Sequence, residues 1–157
     1  VPTCIEAVEG EVIGCPLCDS KTHLVDDCKI FKQMSLKEKF DVLVVSRANM
    51  APFKTKSSWY FHLWNYLNSD ESEGEPLPTA FPWSKEFAKA QSLDKRRNTI
   101  REIQKEFDAT GDEKLLPVDP STSSMEAIYK TFPELQDLPW PARLNGVLSG
   151  KSSFASL

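Results

Sequence analysis

Apolar residues in this chain are bunched, and the bunches have helical spacing. Leu36, Phe40, Leu43 and Val44 recur at the intervals of one helix face. Ser35-Leu36-Lys37-Glu38 carries the capping-box pattern, so a helix is expected to start near Leu36. The apolar run at 42–45 would also suit a short buried strand; the capping box decides for helix. Residues 49–52, which include Pro52, should end this element. The densest bunch is SSWYFHLWNYLNSD, residues 57–70, where Ser57 or Ser58 can cap a helix. Trp59, Leu63 and Tyr66 would share one face, with Tyr60, Trp64 and Leu67 beside them. A helix this apolar around its circumference belongs in a core. The other use of such a surface is to stack bases or grip a partner.

Polar punctuation divides the remainder. Residues 69–79, SDESEGEPLPT, form an acidic loop with one Gly and two Pro. Ser84 should cap a helical stretch that comes after Phe81-Pro82-Trp83. The longest amphipathic segment spans 93–107, with Leu93, Ile100, Ile103 and Phe107 on one face. Lys95, Arg96, Arg97, Arg101 and Lys105 lie largely off that stripe. Residues 110–124 are turn-rich, and 125–132 should form a last helix. Pro133, Pro139 and Pro141 interrupt the chain beyond that helix, leaving room for a short turn at 142–148 and a small, polar end at 150–157. The only other strand-like stretch is 11–13.

The pattern thus predicts a mainly α fold, an N-terminal knuckle attached to a small helical domain. The expected division is an N-terminal segment at 1–12, the knuckle at 13–32, the helical domain at 33–132 and a Pro-containing segment at 133–157. A hydrophobic content of 40% and a charged content of 27% suit a globular chain. The net charge of −4 argues against coating duplex DNA by charge alone. Charge is nevertheless uneven. Residues 21–56 hold eight basic against four acidic residues, and 85–105 hold seven against three. These are either solvated helix faces or surfaces that track phosphates. No apolar run reaches the ~18 residues of a membrane span. No secretory signal is evident, so an intracellular location, nuclear or cytoplasmic, is expected.

The chemistry is concentrated in CPLCDSKTHLVDDC, residues 15–28. Cys15, Cys18, His23 and Cys28 have the spacing C-x2-C-x4-H-x4-C. Two cysteines on a tight turn can face one ion, and His23 and Cys28 can close a tetrahedral shell, which points to Zn2+. Pro16 suits the turn by fixing φ after the first ligand. A disulfide framework fits poorly, because three clustered cysteines and a distant Cys4 make an awkward set. Cys4 reads as a spare thiol, and His62 as a surface or core histidine rather than a ligand.

This spacing is that of the CCHC zinc knuckle. CPLCDSKTHLVDDCKIFKQMSLKEKFDVL resembles the knuckle of Gag-type proteins from BEL/Pao retrotransposons, over residues 15–45 of 157. In nucleic-acid-binding knuckles two apolar positions form a cleft for an unpaired base, and basic residues hold phosphates. The resemblance places Pro16 and Leu24 at the cleft, with Leu17 adjacent, and none of them is aromatic. Asp19 and Thr22 stand where the family usually has glycine; Asp tolerates positive φ and Thr does so poorly. Within the loop Lys21 faces Asp19, Asp26 and Asp27, so Lys29, Lys32, Lys37 and Lys39 downstream would have to supply phosphate-binding charge.

The sequence has no Gly-rich phosphate loop, no HExxH and no flagged nucleophile. Four protein ligands would leave no open position for a metal-bound water. The expectation is therefore a noncatalytic adaptor in RNA metabolism or a Gag-like protein. It would bind single-stranded RNA weakly through Leu17, Lys21, Leu24, Lys29 and Lys32, and a protein partner through its helical region. The alternative is a protein-interaction module whose zinc is purely structural.

Overall fold

The computed structural model describes residues 7, 9–92 and 99–148. The expectations for Cys4, Leu93, Lys95, Arg96, Arg97 and 150–157 lie outside these. Among the described residues the fold is helical: α1 (Lys29–Lys32), α2 (Leu36–Phe40), α3 (Trp59–Leu67), α4 (Lys85–Ser92), α5 (Thr99–Thr110) and α6 (Met125–Thr131), with short 3-10 turns before α1, between α3 and α4, between α5 and α6, and after α6. β pairing among these residues consists of isolated bridges, Val12 with Phe53 and Cys15 with Ser20. The strand-like stretch at 11–13 is the first of these: the Val12 N–H donates to the Pro52 carbonyl at 2.8 Å, and the Lys54 N–H returns to Val12. No helix among the described residues is long and apolar enough to cross a membrane.

The capping box at α2 is complete. The Glu38 N–H donates to Ser35 Oγ at 3.2 Å, and the Ser35 N–H donates to Glu38 Oε1 at 3.0 Å. The chain then runs without a break into a π-helical turn, Asp41–Val45, closed by the Ser46 N–H on the Asp41 carbonyl at 2.9 Å. Phe40, Leu43 and Val44 are buried as their spacing predicts, but Leu36 is 38% exposed. Leu36 is the first residue of a five-residue helix, one turn out from Phe40, and the core does not reach that far. The wider π turn brings both Leu43 and Val44 inward and leaves Val45 51% exposed.

Helix α3 is central, as its composition requires. Trp59, Leu63, Tyr66 and Leu67 are buried, and Tyr66 stacks on Phe40 with ring centroids 4.2 Å apart. Its half-buried aromatics turn their polar ends to the C-terminal segment: Tyr60 Oη donates to Glu134 at 2.7 Å, and Trp64 Nε1 to the Pro139 carbonyl at 2.7 Å. Ser58 occupies the N-cap position, but its side chain makes no capping hydrogen bond.

A second tie closes the core. Ser84 caps α4 by accepting from the Phe87 N–H at 3.2 Å, and Ser84 Oγ donates to Asp119 Oδ2 at 2.8 Å. Asp119 is buried and also accepts from the Ser84 N–H and from the N–H and hydroxyl of Ser121. Four donors are what a buried carboxylate requires. Beside it Trp83 is fully buried, with Nε1 on the Pro117 carbonyl at 2.9 Å. Ile100 and Phe107 of α5 are buried, while Arg101 and Lys105 are exposed. A single hydrophobic core extends from Ala7 to Leu148 and takes in Cys15, Val25, Cys28 and Phe31 of the Cys/His segment.

Candidate metal centre

The four donors converge because the chain folds back at Ser20. The Cys15 N–H donates to the Ser20 carbonyl at 2.7 Å, and the Ser20 N–H returns to Cys15 at 3.1 Å. Gly14 approaches this pair with φ +134°, and a Cβ there would lie 2.8 Å from the Ser20 carbonyl oxygen. No other residue type fits that position without moving the turn. Asp19 adopts φ +48°, the left-handed conformation that Asp tolerates. Thr22 does not need positive φ. Its hydroxyl lies 2.7 Å from Ser20 Oγ and 3.2 Å from His23 Nδ1. A hydrogen bond from Nδ1–H to that hydroxyl would fix the tautomer whose lone pair is on Nε2, the arrangement by which outer groups orient a ligating imidazole.

One ligand atom from each of Cys15, Cys18, His23 and Cys28 lies within 4.8 Å of the other three. Cys18 Sγ and Cys28 Sγ are 3.8 Å apart. Two sulfurs on a tetrahedral shell with metal–sulfur bonds of ~2.3 Å would be separated by about 3.8 Å. The three cysteines carry no disulfide. The set therefore fits a borderline-soft cation held by three thiolates and one imidazole. The same residues leave no ligand position open.

Local electrostatics favour a thiolate at Cys28. Its pKa is pushed down to about 6, first by the backbone N–H of Phe31, against the effect of burial, with His23 and the N–H of Ile30 adding to it. Cys28 is the residue before α1, so these amides are the free N–H groups of that helical turn. Cys18 moves the other way, to about 11, chiefly through its hydrogen bond with Cys28. A cation bound by three thiolates would displace the protons that the sulfurs still hold.

The segment is clipped to the helical body from outside and packed against it from within. Lys56 Nζ is 2.7 Å from Asp27 Oδ1 and holds that carboxyl below the ordinary Asp value. The Lys56 N–H donates to Asp26 Oδ2 at 2.6 Å. Inside, the Phe31 ring meets His62 of α3 edge-on at 5.8 Å. His62 is half-buried beside the core and stands apart from the clustered ligands, within the expectation of a surface or core histidine. Its Nε2 and Asp26 Oδ1 are both buried without a hydrogen-bond partner, and burial pushes the His62 pKa down.

The residues expected to meet nucleic acid do not share one environment. Leu17 is half-buried and packs against the core. Leu24 is half-buried as well. Lys21, Lys29 and Lys32 are exposed, and the described residues contain no ion pair to any of them. Lys37 pairs with Asp41 at 3.2 Å and Lys39 lies 5.5 Å from the Phe31 ring centroid, so both are partly committed. Sequence reasoning passed over Ile30, which is 53% exposed. It lines an open hollow of about 370 Å3 with Cys18, His23, Asp27, Cys28 and Lys29. The signal was the short gap between Cys28 and Phe31: with Phe31 turned inward, its neighbour must turn out.

Residues 1–73 match a family described as Domain of unknown function (DUF8363). That span takes in the whole Cys/His cluster and α1 to α3, so the matched unit is the cluster together with the helices it packs on. No curated protein and no solved structure matches the chain. The likeness to Gag-type knuckles accordingly rests on the ligand spacing and its flank, within a region similar to that family of unknown function.

Proposed function

We propose that the protein is a noncatalytic adaptor whose Cys/His cluster holds a structural Zn2+. One observation carries this reading: Cys15 is 0% and Cys28 5% exposed, in the same core as α3. The ion would clamp the N-terminal turn onto the helical body and make a rigid end for partner contacts. This departs from a free-standing knuckle that swings on a linker. The test is zinc removal by chelation, followed by near-UV circular dichroism of the Trp and Tyr bands. Loss of the aromatic signal is expected; an unchanged signal would return the cluster to the status of an independent module.

A second reading, weak binding of single-stranded RNA by an RNA-metabolism or Gag-like factor, is favoured by a separate observation. Lys21, Lys29 and Lys32 are exposed without ion pairs among the described residues, and the latter two flank the exposed Ile30. Fluorescence anisotropy with a short single-stranded RNA across salt concentration tests it. Binding that weakens linearly in log salt, and is lost when all three lysines become Ala, supports it. Unchanged binding in that triple variant removes the knuckle from RNA contact.

A further inference from the structure

A cavity of about 430 Å3 opens on the side of the helical body built by α2, the π turn and α3. It shares no residue with the metal centre, and its volume is in the range of ordinary ligand sites. The floor is apolar. Phe40 and Tyr66, stacked on each other, form it together with Ala48 and Val45, the valine that the π turn leaves 51% exposed. The rim is acidic. Asp41, Glu75 and Glu113 line it against one cation, Lys37, which is already 3.2 Å from Asp41. Among the described residues Glu75 and Glu113 make no ion pair, although Lys37 also attracts Glu75 at longer range, and Asp70 and Glu73 lie just upstream in the chain. This field repels phosphate and excludes nucleic acid as the occupant.

The third wall is irregular main chain at 76–80, where Pro76 and Pro78 favour extended backbone at the residue before each. Among the described residues the N–H groups of Leu77 and Thr79, which an extended chain directs to the same side, donate to no backbone carbonyl. A wall with such amides is what a peptide backbone adds to, while alternate side chains enter pockets below. We propose that this groove binds an extended, basic peptide segment of a partner protein, anchored by one aliphatic side chain over Val45 and flanked by Lys or Arg facing Glu75 and Glu113. The proposal gives the adaptor a partner class and does not depend on the metal.

The experiment pans the zinc-loaded full chain against a random eight-residue peptide phage library. It is repeated on a Val45→Arg/Glu113→Lys double variant whose circular dichroism matches the parent. Both side chains are exposed, so the fold should survive; Glu113→Gln alone serves if the double variant misfolds. Enriched peptides should alternate Lys or Arg with Val, Ile or Leu. A synthetic copy should lose about tenfold or more in affinity for the double variant, and should shift the amide resonances of Leu77 and Thr79. The proposal is overturned by absent enrichment, by enriched peptides without basic residues, or by undiminished binding to the variant. It is equally overturned by resonance shifts confined to the metal end, or by a concentration-dependent dimer that Val45→Arg abolishes, which would assign the groove to a second copy. Failure of the structural-zinc reading would appear separately, as an aromatic signal indifferent to chelation.

Discussion

Helix α3 and the segment at 15–31 lie against the same core and hold their shapes by different means. Helix α3 buries Trp59, Leu63, Tyr66 and Leu67 on one continuous element, with its backbone hydrogen bonds internal. The other segment buries Val25 and Phe31, and its remaining interior positions are the thiols of Cys15 and Cys28. Burying a side chain such as Val or Phe contributes about 1.5–3 kcal/mol. Two of them cannot offset ~1–2 kcal/mol of backbone ordering at each residue of the segment. An ion that binds only the folded arrangement supplies the difference. The difference between the two regions teaches that apolar area and metal chemistry act as alternative ways of ordering a chain, and that here they meet at the contact of Phe31 with His62.

The largest expected effect strikes the metal side. Cys28→Ser removes a buried donor, and urea unfolding in excess zinc should show a loss of at least ~3 kcal/mol. A loss below about 1 kcal/mol would erase the contrast. On the other side, Leu63→Ala should cost about 2–5 kcal/mol through the cavity it leaves. It should still bind one zinc per chain in a metal-release assay, because no donor sits on α3. Loss of zinc in that variant would mean that the two regions cannot be separated. Ser35→Ala, which breaks the capping box leading into α2, should cost about 1 kcal/mol by the same urea titration.

The smallest effect is at the seam. Burial lowers the His62 pKa from its ordinary 6.5, so the unfolded chain takes up this proton first as pH falls. Stability contributed by neutral His62 should be fully present above that value and be lost as pH falls through it toward the folded pKa. His62→Gln should flatten this part of the profile, measured by thermal melts in saturating zinc. An identical slope in the variant would place the titration elsewhere.

The parts of the fold that were legible in the sequence are those governed by local rules. The ligand spacing, the capping box at Ser35 and Glu38, and the buried face of α3 are each set by residues within a few positions of one another. The illegible parts depend on distant partners. The π turn at Asp41–Val45 looks in sequence like continued helix, or strand. Arg47, fully buried with its guanidinium donating to the Ala51 carbonyl and 4.4 Å from the Phe53 ring centroid, reads in sequence as one more surface charge. Asp119 reads as a loop carboxylate, until Ser84 is brought beside it from 35 residues away. Leu36 belongs to the right stripe and is exposed because the core ends before it. At the metal site the donors were visible, but the burial that distinguishes a clamp from a free knuckle was not, since it depends on α3.

Hydrogen–deuterium exchange on the zinc-loaded and chelated protein tests the central claim most directly. A structural ion predicts that chelation speeds exchange at residues 15–31 and also in α3, where His62 meets Phe31. Faster exchange confined to 15–28, with α3 as protected as before, would contradict it and make the knuckle a separate module.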